Sequence, residues 1–223
     1  VLVGYYPNIL GTETKLLVTF NQEGEQIKVF PNRNVFPKRP LTMLDLMDAE
    51  FYHVNGDTYF KEKSVDTVFR VNAESLIPHI IFETGELSVP YEYKWWPPEK
   101  RKNVNFIFVN QILENSNWIY VLAAKESVDY FALYNKPKHQ LTVTKKGDGI
   151  PNDIDDFVPF NPQFMDVDGN LVEFVNASKI SMWFRDNPSK TSDKTEVLRN
   201  VEMTQNPVIM IGKTKTRYII RPK

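Results

Sequence analysis

The residues of this chain with the most chemical potential are the carboxylates of one loop and the aromatics of another. The acidic loop reads Asp148-Gly149-Ile150-Pro151-Asn152-Asp153-Ile154-Asp155-Asp156. It sets hard oxygen donors beside a glycine, which is the chemistry calcium prefers. The acids that should precede the Asp-Gly pair in a thrombospondin-type calcium repeat are replaced by Lys145 and Lys146. The spacing of an EF-hand loop is also missing, so a capped structural turn is the preferred reading and no cofactor is expected. Asp166-Val167-Asp168-Gly169-Asn170 is a shorter acidic stretch and reads as a hairpin turn. The second candidate is Trp95-Trp96 with Tyr91 and Tyr93. Flat rings of this kind can stack on the apolar face of a sugar, or simply cover the strands beneath them.

Other familiar chemistries are absent. The chain has no cysteine, which removes disulfides, thiolate catalysis and cysteine-based zinc sites. His53, His79 and His139 fall in separate strand-like runs without metal-ligand spacing. No Gly-x-Ser-x-Gly elbow, phosphate loop or dinucleotide fingerprint occurs. Lysine and arginine (27) nearly balance aspartate and glutamate (28), and the basic residues are scattered, so no nucleic-acid partner is expected. No apolar run approaches the ~20 residues that cross a bilayer. The chain opens on Val-Leu-Val-Gly, with neither Met nor a leader-like segment, so its natural start is expected to have been removed.

The elements that would position these residues are strands. Aromatics at 13% and 15 prolines favour strands and ordered loops over helices. A quartet of strand-like runs occurs twice: 51–54, 58–61, 67–71 and 79–82, then 105–109, 118–123, 130–134 and 140–144. Tandem four-stranded antiparallel units are the pattern of β-propeller blades. Asn55-Gly56 supplies the positive φ values of a type I′ hairpin turn. Lys15–Phe20 and Gln26–Phe30 form a hairpin around Gly24, after an apolar run at Val1–Tyr6. Residues 37–48 read as a connection with at most one helical turn, and 84–103 as a long aromatic loop. Phe164–Met165 pairs with Leu171–Val175. Residues 177–203 have helical spacing broken at Asn187-Pro188, and the chain closes on Pro207–Ile211 and Tyr218–Ile220.

Four of these segments resemble the six-bladed, TolB-like β-propeller proteins of gut Gram-negative bacteria, many of them lipoproteins. They are Phe51–Lys61 with Asp66–Val71, Leu76–Gly85, the loop Asn152–Pro159, and Asn206–Ile211. The resemblance implies an all-β fold of propeller blades with one or two short helices near the C-terminus. It implies a single, partial propeller domain over 1–223, with blade-like units at about 1–36, 49–83, 103–145 and 162–221. At roughly 45–55 residues per blade that is 3.5–4 blades, the C-terminal portion of such a ring. Where the family tends to have Gly-Gly, this chain has Asp156-Phe157, so the loop's backbone is expected to differ.

The functional expectation is an exported binding or scaffold module, periplasmic or anchored to the outer membrane. Its partner would be a small ligand, a glycan or a protein, with self-association through open blade edges. The runner-up is a hydrolase or lyase using Asp153, Asp155 or Asp156 at the channel mouth. The same resemblance places Asp153, Asp155 and Asp156 where they could contact a ligand, and Trp95 and Trp96 complete the candidate site residues.

Overall fold

A computed structural model describes residues 1–35, 49–102, 104–152, 156–190, 192 and 195–213. The connection expected at 37–48 and the final run Tyr218–Ile220 lie outside the described residues, as do Asp153 and Asp155.

The described chain is mostly β, in four antiparallel sheets taken in sequence order. The first joins β1 (Leu2–Tyr5), β2 (Lys15–Phe20) and β3 (Gln26–Pro31). The second is β4 (Ala49–Val54), β5 (Asp57–Glu62), β6 (Thr67–Val71) and β7 (Leu76–Ile81), each hydrogen-bonded to the next. Asn55 and Gly56 turn β4 into β5 with φ values of 52° and 85°, as a type I′ turn demands. The third sheet orders β8 (Phe108–Glu114), β9 (Trp118–Lys125), β10 (Val128–Asn135) and β11 (Gln140–Lys145). The fourth holds β12 (Phe164–Met165), β13 (Leu171–Val175) and β14 (Val208–Gly212).

Two expectations need correction. The run expected at 105–109 starts at Phe108 and continues to Glu114, because Ile112 and Leu113 are buried and extend the strand up to its Asn115 turn. The aromatic loop is not irregular throughout. It contains 3-10 turns at Gly85–Leu87 and Tyr91–Trp95 and a short helix, α1, at Pro98–Arg101, opened by proline at its first position. The helical spacing after 177 resolves into α2 (Ala177–Asp186) and a 3-10 turn at Glu196–Leu198. Asn187-Pro188 ends α2, since a proline disfavours helical backbone in the residue before it.

Contacts group the chain into two compact units, Val1–Ile112 with Val121–Ala132, and Leu113–Tyr120 with Leu133–Lys223. In the first unit Leu17, Phe30, Phe60 and Val71 are buried together, with Tyr5, Phe69 and Leu76 packed on them. In the second, Phe157, Val158, Val175, Ile180 and Phe184 form the core, so α2 lies against the inner face of β13 and β14.

Candidate functional site

Strand β5 ends in four consecutive buried residues, Tyr59, Phe60, Lys61 and Glu62. Alternation sends Phe60 and Glu62 to one face and Tyr59 and Lys61 to the other, so each face receives one charge beside one ring. Glu62 is 4% exposed. Its Oε1 accepts from the hydroxyls of Tyr5 and Tyr91, each at 3.4 Å, and Lys94 Nζ lies 3.6 Å away. The Lys94 ammonium also rests 4.1 Å from the centre of the Tyr91 ring.

On the opposite face Lys61, 3% exposed, pairs across the ladder with Glu50. Lys61 Nζ donates to the carbonyls of Glu62 at 2.9 Å and Lys63 at 3.3 Å. Burial pushes the Lys61 ammonium down to about 8, against the opposing pull of Asp66, Glu50 and Glu62. Burial likewise raises Glu50, offset by the Ile112 amide that donates to its Oε1 at 3.0 Å and by Lys61 and Lys63. An amine and a carboxyl displaced toward neutrality are what acid–base chemistry uses. Here both are committed to backbone partners, and Lys61 is sealed from water, so the arrangement locks sheets together rather than reaching a substrate.

The aromatic loop divides between two tasks. Tyr91 turns to Glu62, whereas Tyr93 and Trp96 join Phe106 and Phe108 in one cluster. Lys100 Nζ sits 3.9 Å from the Trp96 ring centre, and Arg101 lies 5.4 Å from that of Tyr93. Arg101 also donates to the carbonyls of Trp96 and Lys94, which ties the loop into a rigid unit. One face of Trp96 is thus occupied by a cation that a stacking ligand would displace. Trp95 closes the 3-10 turn. Phe106 and Phe108 belong to this cluster and carry no signal of it in the sequence, because their proximity depends on the fold of the loop.

The acidic loop is a clasp in its described part. Ile150 and Phe160 bridge through paired 2.8 Å backbone hydrogen bonds. Asn161 Nδ2 donates to the Asp148 carbonyl at 2.9 Å. Gly149 has φ of 133°, and a Cβ there would come within 2.5 Å of Asn161 Nδ2. Asp156 adopts φ of 52° and points its carboxylate outward, 2.7 Å from Lys190 Nζ. Among the described residues no three acidic or histidine side chains gather to hold a metal ion. The Asp166 turn binds its own backbone: Oδ1 accepts from the amides of Asp168 and Asn170 at 3.0 and 2.8 Å, and these bonds, with that from the Asn170 side chain, lower its pKa. The histidines stay apart, each on a local partner: Thr58 for His53, Tyr59 for His79, Tyr134 for His139.

The second unit buries its own charges in the same manner. Glu173 accepts from Lys179 at 3.0 Å and from the Asn161 amide at 2.6 Å, and Glu114 pairs with Lys136. Burial, reinforced by the Glu173 charge, lifts the Tyr120 phenol above its usual range.

This unit also exposes large apolar side chains. Phe164, Phe174, Ile209 and Ile211 all project from the face of β12–β14 opposite the core, and all are exposed. Sequence alternation alone gave no sign of it, because large apolar residues occur on both faces of these strands.

Successive antiparallel sheets of three or four strands, with few short helices between them, define an all-β fold. The chain belongs to the family described as a domain of unknown function, DUF4934, which it matches over residues 1–213. It is also similar to a protein of Bacteroides fragilis NCTC 9343 whose crystal structure is described as that of a "putative exported protein". The two share 16% identity and a TM-score of 0.60, over 90% of this chain and 59% of the other, a likeness of fold. This chain therefore spans 59% of that protein's length. No curated protein matches it. Among the described residues no helix is long and apolar enough to cross a membrane.

Proposed function

We propose that the chain is part of an exported β-propeller that serves as a binding or scaffold module for a ligand, glycan or protein. The blade-like order of four antiparallel sheets and the motif resemblance support the propeller. The description of the B. fragilis neighbour supports export, and the same resemblance extends to a lipoprotein anchor. The observation that carries the binding reading is the exposed apolar face of β12–β14, since contiguous patches of this kind mark interaction surfaces. The hydrolase or lyase reading has less behind it: Asp156, its described candidate, is paired with Lys190 at the surface.

A thermal-shift screen with glycans, peptides and Ca²⁺ tests the proposal, because a ligand that binds only the folded state must raise the midpoint. The expected result is a rise with one class of ligand that disappears in Phe174→Ser. A rise produced by Ca²⁺ or a glycan and abolished by Asp156→Asn, with Phe174→Ser unaffected, would move the function to the acidic loop.

A further inference from the structure

The segment between β7 and β8 sets cations on rings. Lys100, Arg101 and Lys102 are consecutive, and no carboxylate among the described residues pairs with any of them. Two of the three lie over aromatic rings instead: Lys100 Nζ is 3.9 Å from the Trp96 ring centre, and Arg101 is 5.4 Å from that of Tyr93. Trp96 is half-buried, with the ring centres of Tyr93 at 5.6 Å and Phe106 at 5.9 Å, whereas Lys100 is exposed. Arg101 commits two donors to the carbonyls of Trp96 and Lys94, so the backbone fixes its place. Lys94 pairs with Glu62. Among the described residues, the Trp96 ring is the one partner of the Lys100 ammonium.

We infer that Trp96, Lys100 and Arg101 form a binding site for an anionic sugar, a pyranose carrying a carboxylate or a sulfate. The inference goes beyond the β12–β14 face proposed above and does not depend on it. An indole face is electron-rich, so it attracts the weakly positive C–H face of a pyranose as it attracts an ammonium. A neutral sugar must evict Lys100 and forfeits its contact with the ring, a penalty of roughly two- to fivefold in affinity at an exposed site. An anionic sugar gives that ammonium a new partner. Lys100 leaves the ring for the carboxylate or sulfate, and the vacated face takes the sugar. Arg101 keeps donors beyond the two it gives to the backbone, and these offer the anion a second, fixed partner. The charge balance disfavours a phosphate-rich ligand. Glu92 and Glu99 are exposed in the same segment; they repel a polyanion but can accept from sugar hydroxyls.

Galactose, galacturonic acid and galactose 6-sulfate differ only at one ring substituent and supply the test. Binding is read from the indole N–H signal of Trp96 in nuclear magnetic resonance titrations, assigned with Trp96→Phe. The expected result is a saturable shift with at least one anionic sugar, about tenfold tighter than with galactose, as a hydrogen bond to a charged group allows. The tighter of the two acids names the anion. Lys100→Ala should erase the preference, weakening the anionic sugar about tenfold while galactose keeps or gains affinity. Phe174→Ser should bind as the parent does, and every variant should keep the parent's circular dichroism. Equal affinity for galactose and both acids, or a preference that survives Lys100→Ala, would overturn the inference. A shift of equal size with sodium acetate or sodium sulfate would mark an adventitious anion only and overturn it too, as would a Trp96 signal that no sugar moves.

Discussion

Lys61 stands directly opposite Glu50 in the β4–β5 ladder, yet its ammonium turns onto the carbonyls of Glu62 and Lys63. Lys61 is a buried amine held by backbone carbonyls inside a hydrophobic sheet. A buried charge is costly to desolvate and damaging to leave without partners.

The stability of the first unit should therefore depend on pH through Lys61. Its folded value is about 8 against an ordinary 10.5, so between these values the unfolded chain binds more protons. Stability should rise as pH increases through that window and stay low below it, by an amount on the order of 3 kcal/mol. Urea midpoints measured from pH 7 to 10.5 should climb for the parent and remain nearly flat for Lys61→Met. A climb of equal size in Lys61→Met would assign the dependence to another group.

Glu50 titrates in the opposite sense. Its carboxyl is raised from 4.5, so the folded state binds the extra proton and stability falls as pH rises from 4.5 through the folded value. Glu50→Gln keeps an oxygen for the Ile112 amide and should abolish that fall. Glu50→Ala leaves a buried N–H unpaired and should cost about 1–3 kcal/mol. Equal midpoints for Gln and Ala at pH 7 would show that the amide bond contributes nothing.

Asp156 occupies a left-handed conformation at φ of 52°. Glycine would relieve about 1 kcal/mol of strain there, while the exposed Lys190 pair it removes contributes at most about 1 kcal/mol. Asp156→Gly should be neutral or slightly stabilising by thermal denaturation, and Asp156→Val should lose more than 1 kcal/mol. A clear loss in Asp156→Gly would mean that the ion pair outweighs the strain.

Gly149 faces two obstacles to substitution, its φ of 133° and the Asn161 side chain. Gly149→Ala should lose about 2 kcal/mol or more. Adding Asn161→Ala should recover only part, because the backbone strain persists. Full recovery in the double variant would show that the clash alone excludes a side chain.

These positions also show what a sequence reveals. Lys15–Phe20, the Asn55-Gly56 turn and the Phe164–Val175 hairpin were legible because alternation and turn residues act locally. Asp156, where the resembled family tends to have glycine, adopts a left-handed backbone conformation that glycine takes readily. Strand β8 was placed too early because Asn105–Val109 alternates as well as the strand that follows it. The burial of Lys61 and the ion pair of Glu62 were not legible at all. A Lys-Glu pair closing a strand reads as solvated, and only Tyr5, Tyr91 and Glu50, brought in from distant segments, make its burial possible. The exposed face of the fourth sheet was hidden for a related reason: large apolar residues on both sides of β13 and β14 look like strands buried on both faces.

The claim that the outer face of β12–β14 is the interaction surface is tested most directly by amide hydrogen exchange with and without the ligand that raises the thermal midpoint of the parent but not of Phe174→Ser. The expected result is greater protection at residues 164–174 and 208–212 when that ligand is present, with residues 147–152 and 91–96 unchanged. Protection that is the same with and without it across β14, or that rises only at residues 147–152 or 91–96, would contradict the claim.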